Sequence, residues 1–176
     1  MVTSGKSGES DVLGVWKLGS GETVIDRPQS HLHDGVLQFL PEAVARIDSH
    51  GRQVLVEIVV FGRVIGETTC VRTNSDDEIV YAQRQKRFGS SRFVKGRKAE
   101  PCSSLVVILK KADTEPEKYV LITCFVGKKS QPEPWDARAT QESFRFWDEH
   151  ALIWGSEPVL AGTETAICPW AAQRAA

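Results

Sequence analysis

The sequence predicts an α+β fold: an N-terminal helix packed on a central antiparallel sheet, with an additional C-terminal helix. Three observations carry that expectation. Apolar residues recur at helical spacing over residues 28–47, a series of short β-type runs follows between 54 and 126, and a second helical pattern covers 136–153. The expected organisation is a flexible N-terminal tail over 1–20, a single domain over 21–158 and a loosely held C-terminal tail over 159–176.

Met1 to Ser10 is rich in Gly and Ser, which suits a flexible segment. Gly5-Lys6-Ser7 matches only the end of a phosphate-binding loop. Such a loop needs an earlier glycine and a preceding strand to stack its backbone N–H groups, so no nucleotide site is expected here.

Pro28 to Ile47 reads as the first helix. Leu32, Val36, Leu37, Leu40, Val44 and Ile47 form its apolar stripe, with Ser30 as N-cap. Pro41 either kinks it or starts a second helix at Pro41-Glu42-Ala43, and Ser49-His50-Gly51 ends it. The predicted strands are Val54–Val60, Val64–Arg72, Ile79–Ala82, Arg92–Lys95, Leu105–Lys110 and Tyr119–Val126. Short turn-forming connections favour antiparallel hairpins. The nearly continuous apolar runs Leu105–Lys110 and Tyr119–Val126 suit paired central strands. Asp136 to Ile153 predicts the last helix, capped at Asp136, with Ala139, Ser143, Phe146, Trp147 and Ala151 on one face. Trp135, Trp147 and Trp154 are expected to pack it on the sheet, and Trp170 is expected to be exposed.

The 176 residues suffice for a real core, since a domain near 150 residues buries about 70% of its unfolded surface. A net charge of −1 supplies no global field toward nucleic acid or membrane, so any such binding needs locally clustered charge. The four cysteines show no C-x-x-C spacing, which argues against a zinc knuckle. They read as buried free thiols in a reducing compartment. With no apolar signal region and no run near the ~18 residues of a membrane span, the expected location is cytoplasmic, with no membrane partner.

The strongest chemical feature is the segment Arg84 to Lys98. Arg84, Lys86, Arg87, Arg92, Lys95, Arg97 and Lys98 place seven of the 22 basic residues in this stretch, with no acid among them. Phe88 and Phe93 interleave with them. Guanidinium forks suit phosphate and aromatic rings suit bases, although a charge run also serves simply as a solvated face. His31 and His33 lie close together. On a helix they would not share a face; on a strand or loop they could converge as an acid/base pair or, with Asp34, on a metal. His150 reads as a helix-end residue and His50 as a turn residue. Thr123 sits in an apolar strand, where a buried hydroxyl needs a partner.

A His-bearing helix, the basic Gly89-Ser90-Ser91-Arg92-Phe93-Val94 strand, an apolar strand and Tyr119-Val120-Leu121-Ile122-Thr123-Cys124-Phe125 together resemble the barnase–EndoU–colicin–RelE group of ribonucleases. The resemblance covers about residues 28–127. It implies a helix on an antiparallel sheet and a metal-independent, cofactor-free endoribonuclease of toxin type. His31 or His33 would match the helix histidine, Arg92 the basic residue of the middle strand, and Thr123 a phosphate contact. A histidine would take the proton from a ribose 2′-hydroxyl, which attacks the adjacent phosphate; the P–O5′ bond breaks, a second histidine or another acid protonates the leaving 5′-oxygen, and a 2′,3′-cyclic phosphate remains. Arg84, Arg87 and Arg92 would stabilise the phosphoryl charge, Phe88 or Trp135 would stack a base, and Lys86, Lys95 and Arg97 would extend the RNA contact. A neutralising or regulatory protein partner would fit such an activity.

Two other readings compete. The basic hairpin 84–98 could serve a non-catalytic module that binds RNA or a protein, with strong salt dependence for RNA. A metal enzyme using His31 and His33 ranks lowest, because no third ligand has suitable spacing.

Overall fold

A computed structural model of the chain describes residues 14–27, 31–32 and 35–175. Its strands are β1 (Gly14–Lys17), β2 (Thr23–Asp26), β3 (His31–Leu32), β4 (Val54–Val60), β5 (Gly66–Thr68), β6 (Cys70–Arg72), β7 (Glu78–Gln83), β8 (Ser90–Lys95), β9 (Glu100–Cys102), β10 (Ser104–Lys111), β11 (Lys118–Val126) and β12 (His150–Ile153). Two short α-helices accompany them, α1 (Leu40–Val44) and α2 (Gln141–Glu149). The structure is therefore mostly β, 39% strand against 12% helix in three sheets, and among the described residues there is no N-terminal helix packed on a sheet. The predicted α+β class is corrected on that ground.

The reason is local. Gly35 adopts φ +84, outside the α-helical basin, so no helix runs through it. Upstream, His31 and Leu32 pair in parallel with Thr123 and Cys124. Downstream remain a 3-10 turn, Leu37–Phe39, and the five-residue α1, which carries Pro41 in its first turn. The apolar spacing still marks buried positions: Val36, Leu40, Val44 and Ile47 are buried, and Leu37 is exposed. Pro28 and Ser30 lie outside the described residues.

The C-terminal helix is also shorter than its pattern. Thr140, not Asp136, is the N-cap, and its side chain and that of Ser143 form a reciprocal capping box. Helix α2 ends at His150, whose backbone is extended, and the apolar run Ala151-Leu152-Ile153 continues as a buried strand.

The chain folds as two compact units. The first comprises 1–63 and 104–126. Its sheet has the order β1-β2-β11-β10-β4, with β3 beside β11. The β10–β11 pairing predicted from their apolar runs is present and antiparallel, with an irregularity between Ile108 and Leu109. Period-two alternation sorts β4: Leu55 and Val59 are buried with Leu105, Val107, Leu109 and Leu121, whereas Val54, Val56, Ile58 and Val60 are exposed. Tyr119, fully buried, donates its hydroxyl to the Arg52 carbonyl at 2.7 Å.

The second unit comprises 64–103 and 127–176. Its main sheet has the order β6-β12-β8-β7, and β5 pairs with β9 in a separate ribbon. The predicted strand Val64–Arg72 is thus two strands of different sheets, divided at Thr69. Val80, Tyr81, Ala82, Phe93, Trp147, Leu152 and Trp170 form one core cluster. Trp170 is 3% exposed and meets Tyr81 edge-on at 5.1 Å, which corrects the expectation that it is exposed. The chain over 159–165 runs along β7, bridging Arg84 to Val159 and Tyr81 to Thr165. Among the described residues no helix is long and apolar enough to cross a membrane.

Candidate functional site

Strands β7 and β8 form an antiparallel hairpin that carries most of the basic segment. At its tip the Arg87 N–H donates to the Arg84 carbonyl at 3.3 Å, and the Gln83 side-chain amide donates to the Arg87 carbonyl at 3.0 Å. Lys86 occupies this turn at φ +63, a left-handed conformation that ordinarily favours glycine.

The seven basic residues divide into two sets. Arg84 is buried. It donates from Nε to Ser91 Oγ at 3.0 Å, from Nη1 to Glu157 at 3.0 and 3.2 Å, and from Nη2 to Glu133. Ser91 completes the cluster by donating to Glu133 Oε1 at 2.5 Å. Arg92 is 9% exposed and donates from Nη1 to Thr73 Oγ1 and to the His150 carbonyl, each at 2.9 Å. Arg97 binds the Arg72 carbonyl at 2.7 Å, Asp77 at 3.0 Å and Glu100. These three guanidiniums are held by the second unit's own acids, hydroxyls and carbonyls. The acids that satisfy Arg84 lie 49 and 73 residues away in sequence, so nothing within 84–98 announces them.

The other set faces outward. Lys86, Arg87 and Lys98 are exposed, and none of them, nor Lys95, forms an ion pair among the described residues. The Lys95 ammonium lies 5.1 Å from the centre of the Trp154 ring, a cation–π contact. Phe88 is 96% exposed, an extreme value for a phenyl ring, and it follows directly on Lys86 and Arg87. Behind the tip, Gly89 packs so closely on Trp135 that a Cβ there would overlap the indole. Trp135 is thus a half-buried support for the hairpin, and its indole N–H is buried without a hydrogen-bond partner.

The remaining predicted residues belong to the first unit. His31 lies in β3, in register beside Thr123 of β11. His33 lies outside the described residues. Thr123 is half-buried in the strand predicted for it. Burial raises the Cys124 thiol to about 12, and burial together with the nearby Glu133 charge raises Cys70 to about 11, so neither is a thiolate nucleophile at neutral pH. None of the four cysteines is joined in a disulfide; Cys102 and Cys124 are buried and Cys70 and Cys168 half-buried.

No protein-family model, curated protein or solved structure matches this chain.

Proposed function

We propose that the protein is a non-catalytic module that binds single-stranded RNA through the tip of the β7–β8 hairpin. The observation that carries this reading is the run Lys86-Arg87-Phe88, two unpaired exposed cations beside a phenyl ring that is 96% exposed. An exposed ring costs solubility and contributes nothing to the core, whereas a base stacked on it gains roughly 1–3 kcal/mol. Cations on either side of a stacked base suit the flanking phosphates. The buried ion pairs of Arg84 and the Gly89–Trp135 contact hold the tip's base. A left-handed lysine is also the kind of local strain that functional turns carry. Four cysteines outside any disulfide suit a reducing compartment, the cytoplasm.

The test is fluorescence anisotropy with a labelled single-stranded RNA. Phe88→Ala should weaken binding by about five- to a hundredfold with the fold unchanged. Equal affinity for the variant and the parent would remove the tip from the account.

A second reading, RNA cleavage with a 2′,3′-cyclic phosphate product, draws support from one observation: the register sets His31 beside Thr123, two residues of the proposed catalytic set. Arg92 weighs against it, because its Nη1 is already engaged by Thr73 and His150. Incubation with RNA in EDTA separates the two readings. Cleavage that disappears in a His31→Ala/His33→Ala variant supports catalysis, and intact RNA supports binding alone.

A further inference from the structure

The first unit's sheet has two edges, and they differ. One is β1, four residues long and ending in Lys17. The other is β4, seven residues of sequence Val-Leu-Val-Glu-Ile-Val-Val, with no lysine and no proline. Short strands, lysines, prolines and inward-pointing charges are the usual protection of an edge against pairing with another chain; β4 has only the last, Glu57, whose charge is offset by Arg52. In the second unit the β7 edge is covered by the chain's own residues 159–165. Among the described residues no strand pairs with the open edge of β4, although Arg46 Nη1 donates to its Val60 carbonyl.

The backbone of β4 is poised for pairing. The Lys111 N–H donates to the Gln53 carbonyl at 2.8 Å, so residue 53 is a hydrogen-bonded position of the β4–β10 ladder. By the two-residue alternation of an antiparallel pair, Leu55, Glu57 and Val59 also turn their backbone groups toward β10. Val54, Val56, Ile58 and Val60 turn theirs to the open edge. The Val60 carbonyl confirms the direction, since it accepts from Arg46 Nη1 at 2.9 Å. The same four residues are the exposed β-branched ones, at 52%, 37%, 44% and 65%.

We propose that β4 is a self-association edge: two copies of this chain pair β4 with β4 antiparallel about a two-fold axis at Glu57. That register sets Val56 opposite Ile58 of the other copy, twice, and Val54 opposite Val60, twice. Every cross-strand pair on the exposed face is then β-branched against β-branched, a favourable combination. An isologous contact requires a self-complementary surface, and this strand supplies one. Charge agrees as well. Glu57 is the one charged residue of β4 and already carries Arg52, whose Nη2 lies at 2.5 Å, so the two edges meet as neutral pairs. A single strand pair buries less than the ~800 Å² per partner of a standard interface, so the dimer should depend on concentration. The inference is independent of what the hairpin tip binds.

The test is sedimentation velocity on the full chain across a hundredfold range of concentration. The dimer fraction of the parent should rise with concentration, and Ile58→Lys should abolish it while leaving the far-ultraviolet circular dichroism unchanged. A second variant is independent of that substitution. Glu57→Cys should form an intermolecular disulfide under mild oxidation that the parent does not form, because a non-hydrogen-bonded antiparallel pair brings its Cα atoms to about 4.5 Å, within disulfide reach. A parent chain that stays monomeric at every concentration overturns the proposal. A dimer that survives in folded Ile58→Lys, or a Glu57→Cys chain that dimerises without cross-linking, overturns it equally.

Discussion

Arg84 and Glu133, 49 residues apart in sequence, form an ion pair whose side chains are only 9% and 10% exposed. The pair ties the basic hairpin to the segment after β11 in which Pro132 and Pro134 flank Glu133. Removing one member of a buried pair leaves the other charge without its partner, at a cost of about 3–5 kcal/mol. Arg84→Met should therefore destabilise the protein by that order in urea unfolding followed by tryptophan fluorescence. Glu157→Gln should cost less than about 1 kcal/mol, because Glu157 is 46% exposed and water screens its contact. Equal losses for the two variants would contradict the assignment of Glu133 as the principal partner.

Gly89→Ala should be destabilising by about 1–3 kcal/mol, since its Cβ would overlap the Trp135 side chain and force the packing apart. Gly62→Ala is the control. A Cβ there meets nothing within 4 Å and the backbone is not left-handed, so the substitution should be neutral or stabilising by up to about 1 kcal/mol. Thermal melting of both variants reads out the contrast.

Asp136 is held down to about 2, first by the Arg138 side chain and then by the Arg138 backbone N–H. A depressed carboxylate contributes stability above its unfolded value, near 3.9, and loses that contribution as pH falls through about 2. Carboxyl NMR should therefore find the Asp136 midpoint near 2. In Arg138→Ala it should rise toward the ordinary value but stop short, because the backbone donor at 2.9 Å remains. A midpoint unchanged by the substitution would contradict the assigned cause.

How much of this was legible in the sequence follows from what each signal measures. Short apolar runs between turn signals located β4, β10 and β11 within a residue of their bounds, because such runs report burial directly. Helical spacing over 28–47 likewise reported burial at Val36, Leu40, Val44 and Ile47, but it misassigned the conformation. A single Gly35 at positive φ outweighs the periodicity around it. Strand β12 hid inside a helical pattern because a four-residue buried strand and one helix turn have the same composition. The basic segment was visible as charge, yet its division was not. Arg84 is satisfied by Glu133 and Glu157, 49 and 73 residues away, and pairing over such separations leaves no local trace. Phe88, named for its place among the cations, is the residue whose exposure supports that choice.

The central claim is that Lys86 and Arg87, with Phe88, contact an RNA strand. It is tested most directly by the salt dependence of binding. Each phosphate contact contributes about 0.7 to the slope of log K against log salt for a single strand. Lys86→Ala/Arg87→Ala should make that slope shallower by about 1.4 and weaken binding across RNA sequences alike. A slope and an affinity equal to those of the parent chain would contradict the account.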